Sequence, residues 1–472
     1  MEEPTAAPHR TSRGRIAAAL VLLALAATGL TLEFAITLRG NWVLRDAQAR
    51  MDMFEGEVVM RLSYYLSGIH RRGAPATLAG DFARKSARTG FAGAAAYFDK
   101  AAAGFADPDD QTAAAASAAA LYSHVGEDFR ALRVIQRSLA TGDRDVLSML
   151  ARLYANQRPA PEWLRTREFD WIVSHVPAAL LIETQLNEKL DRTARAADLR
   201  REMYNAGTAA ALRVEVLLLL ALALTLGGVI ILARGLFALG FGPYAGLPQR
   251  RWGIWEGLQL VGAWLVLMLM LQQFGALGAM AGSGGFAAGI LASYALASLL
   301  ALVWFARSVA PAGSGLSTAG WRPLGLGRSA ALGLATYAAV VPVVFAAAIL
   351  AMRTLPPPPA NPLIALMIET KSWGVRGLFL ILLCVVAPVA EETVFRGGLY
   401  GGMRKRWSLP LAALLSSALF AAVHLNWASF VPVMALGVAF CVIYERTGSL
   451  LPAMIAHAFF NLGTAIAIFA FA

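Results

Sequence analysis

Long apolar runs recur along this chain of 472 residues. A helix of about 20 residues, rising 1.5 Å per residue, crosses roughly 30 Å of hydrocarbon, and the runs have that length. Because 58% of the residues are hydrophobic, an ordinary soluble enzyme is excluded. The sequence predicts an all-α polytopic membrane protein with about nine transmembrane helices and an N-terminal helical extramembrane domain. The predicted spans are 16–38, 213–234, 255–275, 285–306, 329–352, 376–399, 409–425, 429–445 and 449–471.

Basic residues predict the orientation, since cytoplasmic loops carry an excess of Lys and Arg. Arg10, Arg13 and Arg15 precede the first span, which places residues 1–15 in the cytoplasm. Residues 16–38 then form a transmembrane anchor, because the apolar core of a cleaved signal peptide is usually about 7–15 residues long. Because successive spans cross the membrane in alternating directions, four further basic loops lie on the same side. The first contains Arg234, Arg250 and Arg251; the second Arg307, Arg322 and Arg328; the third Arg404, Lys405 and Arg406; and the fourth Arg446. Arg353, Lys371 and Arg376 fall on the opposite side and count against this topology.

The net charge of +11 also allows a nucleic-acid partner. Basic cytoplasmic loops explain the charge better, so we predict the lipid bilayer as a partner and no nucleic acid. Two cysteines, Cys384 and Cys441, are too few for a disulfide framework or a zinc–cysteine site. The Ala- and Arg-rich composition favours a bacterial source and therefore the inner membrane.

Residues 39–210 hold most of the acidic residues and no run long enough to cross a bilayer. We predict an extracytoplasmic helical domain there, which binds a protein partner or a substrate. Gly90 and Gly126 each precede an amphipathic run, and their spacing of 36 is close to that of tetratricopeptide repeats. A plain helical bundle is the alternative. Residues 211–319 are predicted to be additional transmembrane helices.

Acidic residues and histidines are rare after residue 210, where the chain has no Asp and two His, His424 and His457. Of the Glu residues there, only Glu391 and Glu392 lie deep in an apolar run. Charged groups inside a membrane are costly and commonly functional. The pattern therefore indicates chemistry within the membrane.

Helical spacing places these groups near one another. Glu391 and His424, counted from the cytoplasmic turn at about 401–408, and His457, counted from the start of the last span, lie roughly 12–24 Å deep at 1.5 Å per residue. Asn461 follows His457 by four residues, and Arg396 follows Glu392 by four, so each pair shares a helical face. We expect Arg396 to neutralise Glu392 and leave Glu391 free.

Two chemistries fit this set. Glu391 could deprotonate a water held beside an imidazole, with Asn461 donating to the developing oxyanion. Alternatively, Glu391, His424 and His457 could bind zinc with water as the fourth ligand. The structural alternative is an internally neutralised Glu–Arg pair and polar residues that join helices. The sequence thus leaves open whether there is no cofactor, or Zn²⁺ or another divalent metal.

The ordered motifs Glu391-Glu392-x-x-x-Arg396, Phe420-x-x-x-His424 and His457-x-x-x-Asn461 resemble those of the CPBP family, the CAAX-protease and bacteriocin-processing (Abi) intramembrane proteases. The resemblance covers roughly residues 320–471 and predicts a protease core over 320–472. It implies a membrane-embedded endopeptidase that cleaves a membrane-associated protein or peptide. In family terms Glu391 is the general base, and members are described both as metalloproteases and as glutamate proteases.

Two other functions compete with this interpretation. A proton-coupled transporter could use the same Glu and His residues as a relay, but it favours internal repeats, which the sequence does not show convincingly. A non-catalytic scaffold or immunity factor could keep a protease-like fold.

The chain has no HExxH signature, which would have favoured zinc.

Overall fold

The computed structural model of the chain describes residues 13–39, 47–73, 78–155, 157–237, 252–278, 282–308, 317, 319–322, 324–355 and 362–471. Over these residues the chain forms helices and no strands, which confirms the all-α fold class. The helices are α1 (Arg13–Arg39), α2 (Ala47–Gly73), α3 (Leu78–Gly104), α4 (Pro108–His124), α5 (Asp128–Ser138), α6 (Arg144–Tyr154), α7 (Arg167–His175), α8 (Ala179–Lys189), α9 (Thr193–Phe237), α10 (Ile254–Gly278), α11 (Gly282–Ser308), α12 (Leu326–Thr354), α13 (Pro362–Glu369), α14 (Trp373–Met403), α15 (Leu409–Ala422), α16 (Trp427–Thr447) and α17 (Leu451–Phe469). A short 3₁₀ turn, Pro161–Arg165, precedes α7.

In the described part of the chain, nine apolar helices correspond in position to the nine predicted spans. Among the described residues, seven helices are long and apolar enough to cross a membrane, namely α9, α10, α11, α12, α14, α16 and α17. Two shorter apolar helices, Gly14–Thr28 within α1 and Leu409–Ala422, account for the remaining two. The chain is therefore an integral membrane protein of the predicted polytopic class.

Two helices differ in length from the predicted spans. Helix α9 runs without interruption from Thr193 to Phe237, so it begins 20 residues before the predicted span 213–234. Helix α15 ends at Ala422 rather than at residue 425, which leaves His424 in the turn that follows. Arg10, Arg250 and Arg251 lie outside the described residues, and the predicted orientation stays a prediction.

The chain divides into two compact units. The first, here called the helical unit, comprises residues 36–219, 360–369 and 470–472. Its central helix is α4, which is buried on all faces from Thr112 to Tyr122. Most of that segment is alanine, whose small side chain lets α3, α5, α6 and α8 pack closely around it. Asp107 caps α4 by accepting hydrogen bonds from the first backbone amides.

The second, here called the membrane unit, comprises residues 1–35, 220–359 and 370–469. Helix α14 is central to it and packs against α10, α11, α15, α16 and α17. Every residue from Glu392 to Met403 is buried. Close approach of α10 requires glycine, because a Cβ on Gly402 would lie 2.4 Å from the carbonyl oxygen of Gly253. The ionisable residues of α14 therefore lie at the centre of this unit.

Candidate active site

Helix α14 is irregular around the two glutamates. It contains two π-helical segments, Leu382–Val386 and Glu392–Tyr400, separated by a short α-helical stretch that ends at Glu391. π-helical turns are rare in proteins overall, but those that occur often lie at functional sites. The second segment begins at Glu392, so the two adjacent carboxylates lie at the change of helix type.

Pro388 explains how the first widened turn is completed. In this segment the N–H of Ala387 bonds to the carbonyl of Leu382, five residues back. The same register would pair the carbonyl of Leu383 with residue 388, which is proline and has no N–H. The amide Nδ2 of Asn461 donates to that carbonyl instead, at 2.7 Å. Asn461 thus ties α17 to α14 through one N–H of its Nδ2, and the predicted donation to an oxyanion stays a prediction.

Glu392 lies in a fully buried cluster and accepts two hydrogen bonds. Its Oε1 accepts from Nη1 of Arg396 at 3.0 Å and from Nδ1 of His457 at 3.0 Å. Glu392 is 0% and Arg396 1% exposed. The structure therefore brings together the pair expected from the i,i+4 spacing, and it adds His457 to that pair.

Aromatic rings enclose the guanidinium and the imidazole. The Arg396 guanidinium carbon lies 4.2 Å from the ring centroid of Phe420 and 5.1 Å from that of Phe440. Phe440 also stacks on the ring of His457 at 5.4 Å. A cation held over aromatic faces in a dry site is stabilised by the ring quadrupole. These contacts fix the side chains on both sides of Glu392.

Glu391 has one engaged oxygen and one free oxygen. Its Oε1 accepts a hydrogen bond from the hydroxyl of Tyr294 at 2.6 Å. Its Oε2 is buried without a hydrogen-bond partner and lies 3.8 Å from Nε2 of His457. A carboxylate can only accept, so Nδ1 of His457 carries the proton that bonds Glu392. In the neutral imidazole Nε2 is then an acceptor that faces Glu391.

His424 lies apart from this group. Its Nδ1 donates to the carbonyl of Phe420 at 2.7 Å, and its side chain is exposed. The turn after α15 places it there, with Leu425 in the left-handed region at φ 51° and Asn426 capping the start of α16. The ring of Phe420 packs against both imidazoles, with ring centroids 5.0 Å apart for His424 and 6.0 Å apart for His457. His424 and His457 therefore share a neighbour.

The expected metal ligands do not converge. Throughout the part of the chain that the structure describes, no group of three His, Cys, Asp or Glu side chains is placed to hold a metal ion. Zinc requires ligand atoms about 2.0–2.3 Å from one point. Glu391, His424 and His457 as arranged do not fit that requirement, and the metal site stays a prediction.

Sequence reasoning missed Tyr294. It lies in α11, 97 residues before Glu391, in a stretch that the predicted motifs do not include. The available signal was a tyrosine in an apolar span, whose hydroxyl needs a partner when buried. That signal predicts a hydrogen bond but does not name the partner.

The site lies in a segment with known relatives. Residues 373–463 match the family model described as type II CAAX prenyl endopeptidase Rce1-like. This segment contains all seven residues named in the predicted motifs, from Glu391 to Asn461. The resemblance to the CPBP family is confirmed over this segment.

Two curated proteins are similar to part of the chain. One, from Bacillus subtilis (strain 168), has the name "Putative membrane peptidase YdiL" and is 30% identical over 84 residues, which is 18% of this chain and 34% of that protein. The other, the "Uncharacterized 24.3 kDa protein" of Escherichia coli, is 33% identical over 104 residues, 21% of this chain and 48% of that protein. The chain thus spans about a third and about half of these two relatives. No solved structure matches the chain.

Proposed function

We propose that the protein is an intramembrane endopeptidase that cleaves a membrane-associated protein or peptide with a water activated by Glu391. The observation that carries this proposal is the free, buried Oε2 of Glu391, 3.8 Å from Nε2 of His457. That distance is too long for a direct hydrogen bond. A water in contact with both atoms would satisfy the carboxylate oxygen and the imidazole together.

The proposed reaction is a hydrolysis. Oε2 of Glu391 takes a proton from the water while Nε2 of His457 accepts its second hydrogen and orients it. The water oxygen then bonds to the scissile carbonyl carbon. When the C–N bond breaks, the proton on Glu391 passes to the leaving nitrogen, so a new carboxylic acid and a new amine form, and the acid then loses its remaining proton to solvent water. Glu392 holds the imidazole through Nδ1, and Arg396 balances the charge of Glu392.

His424 and Asn461 take different parts in this proposal. His424 is exposed beside Phe420, and we assign it to the substrate, where its imidazolium form would keep the Nδ1 bond to Phe420 and donate from Nε2 to the carbonyl oxygen. Asn461 supports α14 through the carbonyl of Leu383. No step of the reaction is assigned to a metal.

A cleavage assay tests this function. Purified protein in nanodiscs is incubated with fluorogenic membrane-associated peptides, and wild type is compared with Glu391→Gln and His457→Ala. Each variant should lose at least roughly a hundredfold in kcat, and the double variant should lose little more, because groups acting on one water are not additive. Glu256→Gln is the matched control, a buried glutamate of α10 paired with Arg15, and it should retain activity.

The outcome also separates the competing functions. A proton-coupled transporter would show no peptide cleavage but would lose proton flux in Glu391→Gln. A scaffold would show neither activity. Wild-type cleavage by a folded Glu391→Gln variant would contradict the proposed role of Glu391.

We propose further that the helical unit binds the substrate or a protein partner. Supporting this, a cleft of about 300 Å³ lies between its helices, with Tyr64, Phe91 and Tyr204 on its walls and Arg201 among its lining residues. Ligand pockets begin at about this volume. Arg201→Glu should raise KM for a cleaved substrate and leave kcat unchanged. An unchanged KM would count against this role of the cleft.

A further inference from the structure

The hydrogen bond from Tyr294 selects one oxygen of Glu391. The donor–acceptor distance of 2.6 Å is typical of a hydroxyl bonded to a carboxylate. Because Oε1 is taken, only Oε2 is left to face Nε2 of His457. The side chain of Glu391 could otherwise rotate and present either oxygen, or neither, to a water.

The ring of Tyr294 is itself held in place by α10 and α11. Trp264 packs edge-on against the Tyr294 ring at 5.8 Å and against the Phe395 ring at 6.0 Å. The indole N–H of Trp264 donates to the hydroxyl of Ser298 at 3.1 Å. Ser298 in turn donates to the backbone carbonyl of Tyr294 at 2.8 Å. Trp264 and Ser298 are each 4% exposed, so water cannot readily compete for these hydrogen bonds.

We infer that Tyr294 is a positioning residue, which orients the Glu391 carboxylate so that Oε2 acts as the base. This inference rests on the proposed function and deepens it. It also gives a role to α10 and α11, which lie before the family-matched residues 373–463. The catalytic carboxylate would then be oriented by helices outside the segment that carries the motifs.

The consequence is a specific pattern of kinetic loss. The Tyr294 hydroxyl donates to Oε1 of Glu391, whereas the proposed water lies at Oε2, so substrate binding should not depend on that hydroxyl. A misplaced base, in contrast, slows the chemical step, and small misplacements cost about a hundredfold. Losing the hydroxyl should therefore lower kcat and leave KM unchanged.

Tyr294→Phe is the sharpest test, because it removes the hydroxyl and keeps the ring against Trp264. We expect kcat to fall roughly tenfold to a hundredfold, the range for one hydrogen bond to a charged group. The matched control is Tyr337→Phe in α12, whose ring stacks on Phe459 at 6.1 Å. It removes the same hydroxyl from another membrane helix and should change kcat less than twofold. The unfolding midpoint of each variant is measured beside the kinetics.

A second variant separates positioning from packing. Ser298→Ala breaks the link between Trp264 and the Tyr294 backbone and leaves the Tyr294 hydroxyl present, so we expect a smaller loss in kcat than in Tyr294→Phe. Equal losses in both variants, accompanied by lower unfolding midpoints, would mean that Tyr294 acts only in packing and would overturn the inference.

The inference and the proposed function fail in different ways. If Glu391→Gln is inactive and Tyr294→Phe has wild-type kcat, the positioning role is wrong and the proposed function stands. If Tyr294→Phe changes KM and not kcat, the hydroxyl acts on substrate binding and the inference is also wrong. If a folded Glu391→Gln variant keeps wild-type kcat, the proposed function fails, and the role of Tyr294 fails with it.

Discussion

Arg396→Met tests the buried charge cluster around Glu392. The substitution keeps an apolar stem of similar length and removes the guanidinium that donates to Glu392 at 3.0 Å. Breaking a buried ion pair by removing one partner costs about 3–5 kcal/mol, because the remaining charge is left uncompensated. The lost contact with the Phe420 ring adds about 1–2 kcal/mol. The total is a large share of a typical stability of about 5–15 kcal/mol.

Unfolding in mixed micelles, followed by circular dichroism, measures this loss. The control is Arg84→Met, which breaks an i,i+3 pair with Asp81 whose side chains are 64% and 56% exposed. Exposed pairs contribute about 0–1 kcal/mol, so this control should be nearly neutral.

A second variant keeps the test informative if the first does not fold. The double variant Glu392→Gln with Arg396→Met removes both charges, and we expect it to recover much of the lost stability. If Arg396→Met is as stable as Arg84→Met, or if the double variant is no better than the single one, the reasoning about the buried pair is wrong.

The remaining predictions concern cofactor, topology and the helical unit. Because Glu391, His424 and His457 do not converge in the structure, EDTA should leave cleavage unchanged; inhibition that Zn²⁺ reverses would instead support a metal site. A periplasmic reporter fused near Ala140 should be active and one fused after Lys405 inactive, as positive-inside orientation predicts; the opposite result contradicts the topology. Residues 42–207 expressed alone should be soluble and give a helical circular-dichroism spectrum, and a disordered spectrum contradicts a separately folding unit.

The fold class followed from the sequence because hydrocarbon thickness fixes the length of a spanning helix. Residues four apart share a helical face, which is why the Glu392–Arg396 contact was accessible from spacing alone. Both inferences depend on local sequence.

The rest of the site depends on departures from regular helix and on long-range packing. The π-helical segments shift the residue spacing, so the depth and direction of Glu391 could not be read from a 3.6-residue period. Pro388 was the visible signal, because it leaves a carbonyl without a donor. The early end of α15 also had a signal in Asn426, a residue type that favours helix N-caps and here caps α16. For Tyr294, no signal in the sequence could identify Glu391 as its hydrogen-bond partner.

The most direct test of the account is a single-turnover cleavage in H₂¹⁸O, with the product analysed by mass spectrometry. The wild type should place one ¹⁸O atom in the new carboxylate, since the attacking oxygen comes from water. Glu391→Gln should give no labelled product above background, and Glu256→Gln should match the wild type. Labelled product formed at the wild-type rate by a folded Glu391→Gln variant, or wild-type product without the label, would contradict the claim that Glu391 activates water.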